Sequence, residues 1–182
     1  RQVDQDFAIA LADALLEEFE SDAGGFYFTG HHHESLIHRP KSAYDNATPS
    51  GNGIAAISLQ RLGHLLNCPR YTEAAERSLK AFDRVMQTNP AACAHLLMAL
   101  QEYHYPPSLI VLRGNAADLN QWRDDINSSY RPHVLAVYLP NSLGELTGAL
   151  ARPLTEGVNA WLCRGVECMP AIQKCDELLR NL

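Results

Sequence analysis

The sequence predicts a chain of mixed class, α followed by α/β: antiparallel helical hairpins in its first part, then a small segment of parallel strands. Three observations carry this. Apolar residues recur at helical spacing from Phe7 to about Tyr103. Cap-and-proline pairs, Thr48-Pro49 and Asn89-Pro90, punctuate that run. After Pro106-Pro107, short apolar runs alternate with a helical pattern. The division falls near residue 105, giving a helical part over 1–105 and a C-terminal α/β part over 106–182.

The first helix is predicted over about Asp4 to Glu20, with Phe7, Leu11, Leu15 and Phe19 forming an apolar stripe. Gly24-Gly25 stops it, because glycine accepts the left-handed backbone of a helix end. Phe26–Thr29 and Ser35–Arg39 are predicted as two short extended pieces of a hairpin tipped by His31-His32-His33-Glu34. A second helix starts at Thr48-Pro49 and is apolar around most of its girth, carrying Ile54, Ile57, Leu62, Leu65 and Leu66. A third spans Tyr71 to Gln87, and a fourth follows Asn89-Pro90 to about Tyr103. Short links between them imply antiparallel neighbours. Leu109–Leu112, Val134–Leu139 and Asn159–Cys163 are predicted strands. A helix carrying Leu119, Trp122 and Ile126 joins the first two, the signature of a parallel crossover. A last helix opens at Pro170 with Ile172, Cys175, Leu179 and Leu182 in register.

Composition bounds the partners. The 182 residues are 46% hydrophobic and 20% charged, enough apolar content to fill a core. A net charge of −6 argues against nucleic acid and against an anionic membrane surface. No stretch is long enough to span a bilayer, and the opening residues lack a signal-peptide pattern. The chain begins at Arg1, which reads as a processed or excised segment. Five cysteines at irregular spacing are not a disulfide scaffold, and a reducing, cytoplasmic compartment is the simpler expectation.

The densest polar cluster is Asp45–Gly53. Asp45, Ser50 and Asn52 stand around a helix start, where free N–H groups favour oxygen-rich ligands. One reading puts them at the mouth of a pocket, with Asp45 as acid, base or hydroxyl anchor and Ser50 and Asn52 binding substrate. The other makes them caps and turn-formers, which the residue types alone favour. The three histidines, with Glu34 and His38, invite a metal reading. Nothing at ligand spacing completes a site, so no metal and no cofactor are expected. Cys163 and Cys168 lie between a strand end and a helix start. Their spacing is not Cys-x-x-Cys, so they are read as a weak redox candidate and not as an obligatory disulfide.

Several stretches together resemble one family: DAGGFYFT from Asp22, HRPKSAYDNATPSGNGIAAISLQRL from His38, YTEAAERSLKAF from Tyr71, and AWLCRGVECMPAI from Ala160. They look like the C-terminal region of YyaL-type proteins, thioredoxin-domain-containing proteins that include the spermatogenesis-associated members. The triple histidine departs from that pattern. The resemblance implies an N-terminal thioredoxin-like domain in a longer parent. It also implies that 1–105 is part of an (α/α)6 toroid similar to N-acylglucosamine 2-epimerases and six-hairpin glycosidases. The implied function is carbohydrate binding or sugar processing, with a carbohydrate as ligand. A non-catalytic interaction domain serving the thioredoxin-like module is the alternative. An incomplete toroid would leave the helix over 50–66 uncovered, so a homodimer is expected.

Overall fold

The computed structural model describes residues 2–34, 36–144, 146, 150–164 and 167–182. The chain divides into two units, Arg1–Tyr105 and Pro106–Leu182. Among the described residues no helix is long and apolar enough to cross a membrane.

The first unit is built around α2 (Gly51–Leu66), which packs against α3 (Pro69–Thr88) and α4 (Ala94–His104) and touches α1 (Gln2–Phe19). Proline opens α3, and the tight α2–α3 link turns at Asn67, whose φ of 52° is left-handed. Gly63 lets the two helices approach, since a Cβ there would meet Thr72 Cγ2 at 2.6 Å. One layer of core joins Ala56, Ile57, Leu79, Phe82, Met86 and Leu96. Another joins Ala12 and Leu16 of α1 to Phe26, Ala55, Leu59 and Tyr71. Buried Gln60 donates to the Ala99 carbonyl and ties α2 to α4.

In the second unit α5 (Ala116–Asn127) crosses between β1 (Ser108–Gly114) and β2 (Val134–Pro140), which pair in parallel from Ser108↔Val134 to Gly114↔Pro140. β3 (Asn159–Arg164) runs antiparallel to β1, and β4 (Glu167–Cys168) is antiparallel to β3, in the order β2-β1-β3-β4. Ile110, Leu112, Ala160 and Leu162 pack on Leu119 and Ile126 of α5 and on Leu178 of α6 (Cys175–Arg180). Arg113 is wholly buried at the end of β1 and donates to the Gly144 carbonyl.

These elements correct the expected fold class. The sheet is mixed, and only β1 and β2 are parallel. A parallel strand needs a crossover, whereas 141–158 holds a short 3-10 turn (Asn141–Leu143) in its described part and leads into an antiparallel partner. Helical hairpins of a toroid are not what forms either. A long irregular segment separates α1 from α2, and α2 is covered by its own neighbours. Ala55, Ala56, Ile57 and Leu59 are buried within the unit, while Ile54 on the same helix is 44% exposed. The expected hairpin at the histidines is also corrected: His31–His33 form a turn, and Leu36–Arg39 are not a strand, while Ser35 lies outside the described residues. Pro170 opens no helix. Ile172 instead bridges Ala160, extending the chain along β3, and α6 starts at Cys175.

α1 carries a subtler correction. Its buried residues are Ala12 and Leu16, while Phe7 is 63% and Leu11 is 55% exposed. The four-residue stripe therefore runs from open surface at Phe7 down to Leu15 and Phe19, which are half-buried.

Candidate functional site

The helix stop after α1 shapes an aromatic-walled cleft in the first unit. Gly24 and Gly25 take φ of 82° and 74°, and Ser21 N–H donates to the Gly25 carbonyl at 2.9 Å. Neither position tolerates a side chain. A Cβ on Gly24 would stand 2.4 Å from the Arg77 carbonyl oxygen, and one on Gly25 2.8 Å from the Phe82 ring. The reversal sends Phe26–Phe28 back beside α1, with Tyr27 N–H on the Phe19 carbonyl at 2.9 Å.

Asn52 fastens this segment to α2. Its Oδ1 accepts from Phe26 N–H at 2.6 Å, and its Nδ2 donates to the Phe26 and Ser42 carbonyls, each at 3.0 Å. A buried side-chain amide thus pairs with the backbone as a neighbouring strand would. The result is a cleft of about 220 Å3 walled by Leu15, Phe19, Phe26, Tyr27 and Phe28, with Ser42, Gly51 and Asn52 at the start of α2. Phe28 is 82% exposed. Beside it the Arg39 guanidinium stacks over Tyr27 at 4.1 Å, and Lys41 Nζ donates to Ser21 Oγ and the Gly24 carbonyl at 2.9 Å each.

Ser50 and Asp45 stand at the same helix start, and both are bound to backbone. Ser50 is the N-cap, accepting from Gly53 N–H at 3.0 Å. Thr48, expected as cap from the Thr-Pro pair, lies two residues before it. Asp45 Oδ1 accepts from Ser50 N–H at 2.8 Å, and Oδ2 accepts from His95 N–H at 2.9 Å, with His95 Nδ1 3.2 Å away. One carboxylate therefore joins the first turns of α2 and α4. Partial burial pushes its carboxyl up, but the two amides and the His95 ring together outweigh that and hold it at about 2. The contribution of His95 was not legible in the sequence, because 50 residues separate it from Asp45.

In the second unit the structure brings Cys163 and Cys168, the weak redox candidate of the sequence, together as a disulfide. They face each other across the antiparallel β3–β4 pair, not at a helix start. The Arg152 guanidinium, which no sequence pattern marks, lies 3.6 Å from both sulfurs. Cys68, Cys93 and Cys175 are free thiols. Among the described residues no three His, Cys, Asp or Glu side chains converge as metal ligands.

No protein-family model matches the chain. It is similar to the uncharacterized protein B0495.5 of Caenorhabditis elegans, 23% identical over 168 residues, which is 88% of this chain and 23% of that protein. The chain spans about a quarter of the length of this curated relative.

Proposed function

We propose that the first unit binds a carbohydrate-class ligand in the cleft between α1, the 26–28 segment and the start of α2. The observation that carries this reading is the cleft's lining. Aromatic rings offer flat apolar surface to the C–H face of a sugar ring, while Ser42 and the first turn of α2 bring polar groups to its edge. At about 220 Å3 it is smaller than the ~300–1,000 Å3 of drug-sized sites, which suits a single ring. Binding fits better than turnover. A general acid works with a pKa near the ambient pH, and Asp45 is held near 2 with both oxygens occupied.

Titration calorimetry with neutral mono- and disaccharides tests this. Saturable binding is expected, weakened about tenfold by Phe28→Ala, the loss of ~1.4 kcal/mol of stacking. Phe28 is exposed, so the unfolding midpoint should stay within about a degree, as for other surface substitutions. Heats that do not saturate with any sugar would end the carbohydrate reading.

A second reading, an interaction domain, is favoured by the exposed row Val3, Phe7 and Leu11 on one face of α1. We propose a second copy of the chain as one occupant, and a thioredoxin-like module of a longer parent as another. Dilute light scattering should show a dimer that Phe7→Glu with Leu11→Glu converts to monomer. A wild-type chain that stays monomeric at high concentration would remove the first occupant. A cytoplasmic location is proposed with these readings, on the three free thiols.

A further inference from the structure

We propose that Cys163 and Cys168 form a reversible thiol–disulfide pair that exchanges with dithiols, with Cys168 as the sulfur attacked and Arg152 holding the thiolates.

The two ends of the disulfide differ in access. Cys163 is 4% exposed on the inner strand β3, whereas Cys168 is exposed on the two-residue edge strand β4. An incoming thiolate therefore reaches Cys168 Sγ and not Cys163 Sγ. A buried, purely structural crosslink would hide both sulfurs. The two cysteines are also only five residues apart, so the bond closes a very small loop. Loop-closure entropy grows with loop length, so this crosslink constrains the unfolded chain little and adds correspondingly little stability.

Arg152 sits against the disulfide. One of its Nη atoms stands 3.6 Å from each sulfur. The guanidinium is held there by stacking over Trp161, 5.5 Å from the ring centroid, and by donation from its other Nη to the Ala151 carbonyl at 2.8 Å. Its Nε is buried without an acceptor among the described residues. A guanidinium 3.6 Å from both sulfurs favours negative charge there, and a thiolate released at either sulfur supplies that charge at contact distance. Burial also lowers the pKa of Arg152 itself.

The exchange balances with a dithiol as reductant. One thiolate of the dithiol attacks Cys168 Sγ, forming a mixed disulfide. The Cys163–Cys168 bond breaks, and its electron pair leaves on Cys163 Sγ beside Arg152. The second thiol of the reductant, once deprotonated, attacks the reductant's own sulfur in the mixed disulfide, and Cys168 leaves as thiolate. The reductant becomes a disulfide, the protein gains two electrons, and the two protons from the dithiol pass to the cysteines. Run backward, the reduced pair reduces a partner disulfide, with Cys168 as nucleophile and Cys163 resolving.

Thiol trapping with mass spectrometry on the full chain is the test. Millimolar dithiothreitol at neutral pH, without denaturant, is expected to reduce the pair fully while the helical circular dichroism is unchanged. In the reduced chain Cys168 should be alkylated faster than Cys93, which burial and the nearby Asp45 push up, and Cys175, which burial and Asp125 push up to about 11. Its pH–rate midpoint should lie below the ~8.5 of a free thiol, and Arg152→Gln should raise that midpoint by about one unit, slowing alkylation at pH 7 roughly tenfold. Cys163→Ser is expected to trap glutathione on Cys168 when given oxidised glutathione, whereas Cys168→Ser traps little on buried Cys163. A pair that resists dithiothreitol until the chain is unfolded would overturn the proposal, and this arm needs no variant. An unmoved pH profile in folded Arg152→Gln would overturn the role of Arg152.

Discussion

Gly53→Ala is expected to destabilise the helical unit by about 3 kcal/mol, the upper end of overpacking costs. The position sits in the first turn of α2, facing the first turn of α4. A Cβ there would stand 2.6 Å from His95 Cβ, 2.8 Å from Ser50 Oγ and 3.1 Å from the His95 carbonyl carbon. Two of these contacts are to atoms fixed by α4, so the helices must separate. Separation pulls His95 N–H from Asp45 Oδ2 and strains the Ser50 cap, so packing and hydrogen bonding fail together. At ~4–8 °C per kcal/mol for a domain of this size, the helical melting transition should fall by roughly 12–24 °C. Gly51→Ala is the control. It lies two residues away in the same turn and meets nothing within 4 Å. Loss of glycine's freedom in the unfolded chain should leave it neutral or stabilised by a few tenths of a kcal/mol, as is usual at compatible sites. Equal melting of the two variants would show that α2 and α4 are not in close contact at their starts.

Asp45→Ala is expected to cost about 2–3 kcal/mol, since it removes side-chain caps from two helices at once and each is worth ~1 kcal/mol. The carboxylate is mostly buried between the helices, so little of this is lost to solvent screening. The same residue gives an acid signature. Its folded pKa of about 2 lies below the ordinary 3.8, so the folded chain favours the ionised form. That stabilisation is fully present above pH 4 and is lost as pH falls through about 2. It corresponds to about 2 kcal/mol as an order of magnitude. Urea midpoints between pH 5 and 2 should fall steeply for the wild type. Asp45→Asn lacks this ionisation and should show a correspondingly shallower fall, from a lower starting stability, because its amide offers only one acceptor to the two N–H groups. A wild-type curve parallel to that of Asp45→Asn across this window would show that the carboxylate is not what holds the two helix starts.

Local chemistry made several elements legible. The helical spacing of Ala74, Ala75, Leu79, Phe82 and Met86 marked α3, whose buried face carries those five residues, while its start at Pro69 lies two residues before the Tyr71 expected. The short apolar runs marked β1, β2 and β3 within a residue or two of their bounds. The polar cluster at the start of α2 was legible as a site of capping residues. What each one caps was not: Ser50 serves its own helix, Asn52 serves a segment 26 residues earlier, and Asp45 reaches one 50 residues later.

By itself, then, the sequence determined the approximate places of α1 to α5 and of β1 to β3, and the change of style near Pro106. Those features depend on backbone preferences and on periodicity over a few residues, and both act locally. Tertiary structure decided the rest. It turned the face of α1 so that Ala12 and Leu16 go inward while Phe7 and Leu11 stay out, because the fit to Ala55, Leu59 and Tyr71 selects among faces that periodicity leaves equally apolar. It set β3 antiparallel, because strand direction depends on how the connection returns and not on the strand's own residues. It put Arg152 against two sulfurs and Asp45 between two helices, because through-space contact between distant residues leaves no local trace in the chain.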